Sequence, residues 1–594
     1  MNLLNKLKLN RLSAFFWGYV LIILAIILPW FFKPGYLFFT DFVRGPLVPL
    51  DWTWASFLMN LIWKFLDYFL PSAFIQKIFI GFILALILFG GRLLVKAILK
   101  YQAGQEAREF SPDEKEAEEF SPGEKRAVSP APSAGLVFVL SLFALFNPFV
   151  YDRALYGQFG VLIAYGALLF TAAYLFEFWR TLTFKKLFLA AIFTGLILMF
   201  SLHFVFFLFP LYLIFFSALF LKRREIRLAR AGRSFGFKLL AAGAIIIVLN
   251  ANWLFAMAAG NSSIVEFVEQ GISRQDLFTF QTSGKTSVET FTKVVLMSGF
   301  WGQDQYRYTD LTVEPGWQKA FIILLPLILY GVYLSFCSVS RRQKVFSVSL
   351  IIIYLVSVIL AVGVKSPLFA PMIFWLHDNF PGYRGLREPQ KFVALIIPIY
   401  LFYLSLSIRC LSLSGFFSRL SLVRRRLIAL IFALIIFAQA PLLLFGFAGQ
   451  VRPTPYPADW YEVNELLLSR SGENRACSDR ILFLPWHLYM SFNWIGRIIA
   501  NPAPQFFSCP VQTGTNMEWG GIYDNSQNPV SAAVDVWMRE EGLSGPPVLP
   551  DGQTFHYIIL AKELDWLNYL WLAKLGYLNL ILETETLVVF EINY

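Results

Sequence analysis

Apolar blocks of roughly 15 to 22 residues, parted by charged or Pro/Gly-rich breaks, recur along this 594-residue chain as far as about Phe445. Each is near the length at which a helix crosses a bilayer core. Only 15% of the residues are charged and 57% are hydrophobic, whereas a soluble domain carries about 25% charged residues. A soluble enzyme is therefore excluded, and the chain reads as an all-α polytopic membrane protein.

The blocks fall at Ala14 to Phe32, Ile78 to Leu94, Gly135 to Phe149, Phe159 to Phe178, Leu187 to Ser201, Phe204 to Leu221, Leu239 to Met257, Ala320 to Phe336, Val345 to Val364, Phe392 to Ile408 and Leu427 to Phe445. That predicts about eleven spans. The first follows Lys6, Lys8 and Arg11 but has no small-residue cleavage site after it, so it is read as a retained span with the N-terminus in the cytoplasm. Splitting the stretch Leu187 to Leu221 at Ser201-Leu202-His203 then puts Arg92/Lys96/Lys100, Arg180/Lys185/Lys186, the Lys222 to Lys238 stretch, Arg341/Arg342/Lys344 and Arg409 to Arg426 all in the cytoplasm, as retention of basic loops requires. The formal charge of +11 has the same origin. Before Gly446 there are 42 basic and 23 acidic side chains, a surplus of 19, and from there on 8 and 16. The basic balance is thus a topology signal, and no nucleic acid partner is expected.

Two regions break the membrane pattern. Residues 101–133 carry Glu109-Phe-Ser-Pro-Asp-Glu-Lys115 echoed by Glu119-Phe-Ser-Pro-Gly-Glu-Lys125, a polar composition that predicts a disordered cytoplasmic loop. From residue 446 to 594 the long apolar blocks give way to short strand-like runs at Arg480 to Pro485, His556 to Leu560, Leu578 to Glu583 and Leu587 to Glu591, with a helix-like stretch from Trp566 to Leu575. This predicts an extracytoplasmic α/β domain after a transmembrane domain of residues 1–445. Within that domain Cys477 and Cys509 would meet an oxidising compartment, and a disulfide between them is expected. Cys337 and Cys410 read as small buried hydrophobes at helix ends. The four histidines, His203, His377, His487 and His556, are scattered, so a histidine-rich metal site has little support. No certain cofactor is implied, and whether a divalent metal takes part is left open. No phosphate-binding glycine loop or G-x-S-x-G elbow is present.

The residues able to do chemistry gather on three outer loops. The first loop holds Asp41 among aromatic neighbours, with Arg44 close behind, a setting for a general base in a partly dry site. The same loop continues into a Trp-rich amphipathic stretch suited to the membrane interface. The second is the turn Asn147-Pro148-Phe-Val-Tyr151-Asp152-Arg153-Ala-Leu-Tyr156-Gly157-Gln158, richer in hydrogen-bonding groups than a connector needs. The third runs from Trp375 to Phe392, where Arg384, Arg387 and Lys391 oppose the positive-inside trend and point to an anionic phosphate, the alternative being that Arg387 and Glu388 pair with loop partners. In the loop 258–319, Trp301, Tyr306 and Tyr308 are candidates for stacking on sugar rings.

With these residues in hand, the first-loop Asp41, the Asn147-Pro148 to Gln158 turn, the Arg387-Glu388-Pro389-Gln390-Lys391-Phe392 lead into a late span and the outward α/β tail, the chain resembles the GT-C superfamily of integral membrane glycosyltransferases. Within it, the likeness is to the branch of YfhO-like proteins and mycobacterial arabinofuranosyltransferases. The resemblance implies a sugar donor carried on a polyprenyl phosphate, transfer to an extracytoplasmic glycan, lipid or protein acceptor, and Asp41 as the base. Arg384, Arg387 and Lys391 would then hold the donor phosphate, and Arg44, Tyr151, Asp152, Arg153, Tyr156, Gln158 and Glu388 would position substrates. Many relatives carry two adjacent acidic residues in the first loop, whereas Thr40 precedes a lone Asp41 here. The Trp-Trp-Asp-Tyr-Gly motif of oligosaccharyltransferases is absent, which disfavours transfer of whole glycans to asparagine. Two other classes remain open at this point: a flippase or polymerase of lipid-linked oligosaccharides, which would place charges inside its spans, and a non-catalytic membrane scaffold whose tail binds a partner. The expected location is a plasma membrane.

Overall fold

The computed structural model describes residues 2–52, 56–109, 133–221, 232–260, 273–305, 307–337, 341–380, 382–414, 419–470, 477, 479–515, 517–519, 522–524, 529–549, 552 and 554–594. Among them, seven helices are long and apolar enough to cross a membrane, or nine if each of two bent pairs is one span. The bent pairs are Phe235–Leu249 with Ala251–Ala258, and Leu422–Phe437 with Pro441–Ala448.

The first eight helices are α1 (Asn2–Phe31), α2 (Phe57–Asp67), α3 (Ser72–Glu109), α4 (Ala134–Leu142), α5 (Pro148–Leu155), α6 (Phe159–Thr181), α7 (Phe184–Phe200) and α8 (Val205–Leu221). Three departures from the hydropathy reading stand out. The block Gly135 to Phe149 is not one helix: α4 has 9 residues and ends in turns, because Pro148 lacks an N–H and starts α5 afresh under the Asn147 cap. The Asn147 side chain accepts from Val150 N at 3.0 Å. Residues 101–109, read as loop, instead continue α3, whose helical hydrogen bonding extends beyond its apolar stretch. Residues 110–132, with both copies of the repeat, lie outside the described residues. At Leu187 to Ser201, α7 has 17 residues and stops at Phe200, a rise of about 26 Å. A 3-10 turn at Leu202–Phe204 separates it from α8.

The chain's polar ends sort to opposite poles of the bundle. At the far end of α3, Lys100 lies 3.9 Å from Glu177 near the end of α6, and Arg180 lies 3.4 Å from the same carboxylate. At its near end, Ser72 donates to Gly45 O at 3.2 Å, which places the start of α3 beside the first interhelical loop. That loop is where α2 lies, burying Trp63 and leaving Leu58, Leu61, Ile62 and Phe65 exposed along one face, the distribution of a helix resting on an apolar medium.

The C-terminal region is built on a five-stranded sheet. Its strands are β3 (Ile481–Leu484), β6 (Val511–Gln512), β9 (Tyr557–Ala561), β10 (Leu578–Glu583) and β11 (Leu587–Ile592), in the order β10-β11-β9-β3-β6. β3 pairs in parallel with β6 and β9, and β11 antiparallel with β9 and β10. Side chains alternate across β3, so Ile481 and Phe483 enter one core with Trp460, and Leu482 and Leu484 enter another with Trp537. Two hairpins flank the sheet, β4 (Tyr489–Phe492) with β5 (Arg497–Ala500) and β7 (Met517–Trp519) with β8 (Ile522–Asp524). Trp566 to Lys574 is a 3-10 run rather than an α-helix. Cys477 and Cys509 are joined in a disulfide over a separation of 32 residues, a loop closure that the chain-entropy model values at about 3 to 4 kcal/mol.

The first loop is woven into this C-terminal region. Its strand β1 (Tyr36–Leu37) pairs antiparallel with β2 (Pro453–Thr454), and Tyr36 and Phe38 are buried in the same core as Tyr456 and Trp460. Leu47 N donates to Gln505 O at 3.0 Å, and Tyr456 Oη to Arg44 O at 3.0 Å.

Candidate functional site

The loops that carry the chemistry converge at one end of the bundle. Gly157, at φ +77°, turns the chain after α5 so tightly that an added Cβ would sit 2.7 Å from Phe39 Cβ. This close approach brings the first loop against α5, and Asp41 N donates to Tyr156 O at 2.8 Å.

Asp41 keeps accessible surface where the loops converge. Gln158 Nε2 donates to its Oδ2 at 3.2 Å and Tyr489 Oη to its Oδ1 at 3.0 Å. Desolvation and the nearby Glu388 charge raise its carboxyl above the ordinary carboxylate range, partly offset by those two hydrogen bonds and by Arg387. Tyr489 is in turn held protonated, first by the Asp41 charge and then by burial, so it remains a donor.

Behind Asp41 lies a buried ion cluster. Arg153, wholly inaccessible, donates to Glu388 Oε2 and Gln158 Oε1, and to Gln390 Oε1 at 2.7 Å. Its guanidinium rests 4.4 Å from the Phe300 ring centre. Lys391 lies 3.3 Å from Glu388 Oε1. Burial pushes the Glu388 carboxyl upward, but Lys391 and Arg153 outweigh it and hold Glu388 well below the usual range. Gln158 links the two layers, since its Nε2 also lies 3.4 Å from both Glu388 oxygens.

Arg387 is partly exposed, 3.6 Å from Asp276 Oδ1, with its guanidinium 4.6 Å from the Phe280 ring centre. Arg387 and Lys391 thus have acidic partners, Asp276 and Glu388. Arg384, half-buried on the 3-10 turn Tyr383–Gly385, is not among the charges with the largest influence on Asp41 or Glu388.

The other residues singled out from the sequence are placed as follows. Asp152 is buried and accepts from Gln303 Nε2 at 2.9 Å; desolvation and Asp310 raise its carboxyl well above the ordinary range. Tyr151 Oη donates to Thr309 O at 2.8 Å and accepts from Gln450 at 3.0 Å. Tyr156 Oη donates to Gly302 O at 2.6 Å, and its ring meets those of Trp301 and Tyr308. Tyr306 lies outside the described residues. Arg44 does not reach Asp41: its guanidinium stacks 4.6 Å from the Trp63 ring centre and donates to Asn60 Oδ1 at 3.2 Å. Tyr489 and Gln303 escape the sequence reading, and Gln390 stands in its quoted motif without an assigned role. The one local signal for Tyr489 is the alternation of β4, which turns Tyr489 away from the buried Met490 and Phe492.

Among the described residues no group of three or more His, Cys, Asp or Glu side chains is arranged to hold a metal ion. Of Asp41, Asp152 and Glu388, the last two are buried and committed to partners, and Asp41 keeps accessible surface.

This architecture was compared with solved structures. The arabinofuranosyltransferase AftD from Mycobacteria superposes over 98% of this chain with a TM-score of 0.52 at 12% identity. The two chains share a fold. The chain spans 40% of the AftD structure. ArnT from Cupriavidus metallidurans covers 96% of this chain and is itself covered over 97%, at 12% identity and a TM-score of 0.37. The Archaeoglobus fulgidus oligosaccharyltransferase covers 92% and is covered over 64%, at 13% identity and a TM-score of 0.39. No family model matches the sequence, and no curated protein does.

Proposed function

We propose that this chain is a membrane glycosyltransferase that moves a sugar from a polyprenyl-phosphate donor to a hydroxyl of an extracytoplasmic glycan, lipid or protein acceptor. The observation that carries this reading is Asp41: one accessible carboxylate with raised basicity, held by Gln158 and Tyr489 at the convergence of three loops on a fold shared with AftD. In the reaction, Asp41 takes the proton of the acceptor hydroxyl as that oxygen forms its bond to the anomeric carbon. The bond from that carbon to the donor phosphate breaks, and the lipid phosphate leaves with the electron pair.

Charge gathers on the leaving phosphate, where Arg387 stands. Its side chain is 22% exposed beside Asp276, and a planar guanidinium matches phosphate oxygens in charge and geometry. Lys391 adds positive potential from within the ion cluster. Further along the helix Val393–Leu413, a cavity lined by Leu395, Ile399, Leu211 and Phe346 is almost wholly apolar, an environment suited to a prenyl chain.

Purified full-length protein should transfer sugar from a polyprenyl-phosphate donor. Arg387→Ala should raise the donor KM and lower kcat together, by about tenfold in kcat/KM for each 1.4 kcal/mol of lost phosphate contact. Unchanged donor kinetics in that variant would remove Arg387 from the donor site.

The orientation belongs to the same proposal: an odd number of crossings, with the N-terminus in the cytoplasm, the basic clusters there and the C-terminal region outside, as the charge distribution demands. In intact cells, an impermeant maleimide should label Cys477 only after an impermeant reductant has opened its bond to Cys509. Labelling that needs permeabilised cells would invert the topology.

A further inference from the structure

Among the described residues, the C-terminal region meets Asp41 through the hairpin of β4 and β5. Tyr489 and Ala500 face each other in its register. Ala500 N donates to Thr40 O at 2.8 Å, one residue before Asp41, and Tyr489 Oη donates to Asp41 Oδ1 at 3.0 Å. At the other end of the hairpin, Arg497 donates to Gln450 O at 2.6 Å and lies 5.8 Å from the Tyr308 ring centre. On the opposite side of the first loop, Tyr36 and Phe38 are buried in the C-terminal core. The segment bearing Asp41 is therefore held on both flanks by residues more than 400 positions away in the chain.

We propose that Tyr489 is a positioning residue for Asp41, and that the β4–β5 hairpin makes the C-terminal region a wall of the reaction centre rather than a separable module. This rests on Asp41 serving as the base. A carboxylate oxygen offers two lone-pair sites, so a Tyr489 hydroxyl on one leaves the other for an acceptor hydroxyl. The donor also fixes the carboxylate plane before substrate arrives, which removes a reorganisation step from the reaction.

The remaining groups that face Asp41 come from three elements. Gln158 stands at the start of α6, Tyr156 at the end of α5, and Glu388 and Arg387 precede the helix Val393–Leu413. Gln158 and Arg387 favour the anion, as Tyr489 does, and Glu388 opposes it. With the Tyr489 hydroxyl gone, the Glu388 charge is less well countered and Asp41 binds a proton more readily.

The test is Tyr489→Phe in the full chain, read in two ways. One is the pH profile of sugar transfer. The other is the infrared carboxyl titration of the purified protein without substrate, in which the Asp41 band is identified by its loss in Asp41→Asn. The acid limb and the titration should both move to higher pH, and turnover on the alkaline plateau should fall by about tenfold as the carboxylate loses its fixed plane. Tyr489→Gln restores an N–H donor and should move both back toward the parental position. A titration and a profile unchanged in Tyr489→Phe would overturn the proposal. If Asp41→Asn transfers sugar at the parental rate, the base reading falls by itself, while the infrared titration still reports whether Tyr489 holds Asp41.

Discussion

Asp41→Asn should lower turnover by about 10² to 10⁴ while donor binding persists. The substitution keeps the size of the side chain and can still accept from Gln158 or Tyr489, but it removes the proton acceptor. Of the carboxylates around the turn after α5, Glu388 is held ionised by Lys391 and Arg153 against its own burial and is too weak a base to replace it. Asp152 is closed in by Gln303. In the parent, only ionised Asp41 can take a proton, and its raised pKa sets the sign of the pH dependence. Activity should fall with acid at a higher pH than an unperturbed aspartate would allow, and that limb should vanish in the residual rate of Asp41→Asn. A folded Asp41→Asn protein that transfers sugar at the parental rate, with the acid limb intact, would dismiss Asp41 from the mechanism.

Arg153→Met should destabilise the protein by about 3 to 5 kcal/mol, the cost of leaving a buried charge without its partner. Arg153 is 0% exposed and Glu388 6%, so water cannot replace the lost bonds. Lys391, 3.3 Å from the other Glu388 oxygen, is the one remaining cation in direct contact among the described residues. Gln158 and Gln390 each lose a donor at the same time. Arg153→Lys should recover little, because a single ammonium cannot reproduce a fork that reaches Glu388, Gln158 and Gln390 together. Arg153→Met combined with Glu388→Met should recover nothing, since Lys391, buried 3.3 Å from Glu388, then loses its own partner. Thermal unfolding in detergent measures all three, and an Arg153→Met midpoint equal to the parent's would show that the cluster is not a structural one.

That the chain holds many membrane-length helices was readable from the sequence, because a bilayer imposes its constraint locally, but about eleven were predicted and seven to nine stand among the described residues. The strands at Ile481–Leu484, Tyr557–Ala561, Leu578–Glu583 and Leu587–Ile592 were legible for a similar reason, as short apolar runs between turn residues. The break before Pro148 escaped hydropathy, which is blind to a missing N–H within an apolar stretch.

The pairings at the site are another matter. Tyr489 meets Asp41 across 448 positions, and Arg153 meets Glu388 across 235. Arg44, three residues from Asp41, turns instead to Trp63 and Asn60. Local periodicity says which face of an element a side chain occupies, but not which distant element packs there. That is decided by how helices and loops of given length close against one another, as at Gly157, where the absence of a side chain lets the first loop touch α5. The sequence by itself determined that a carboxylate, a turn rich in polar groups and a cationic loop lie at membrane-span ends. Only the tertiary structure decided that Asp41 stays accessible while Asp152 and Glu388 are buried against partners, because that depends on which loops converge.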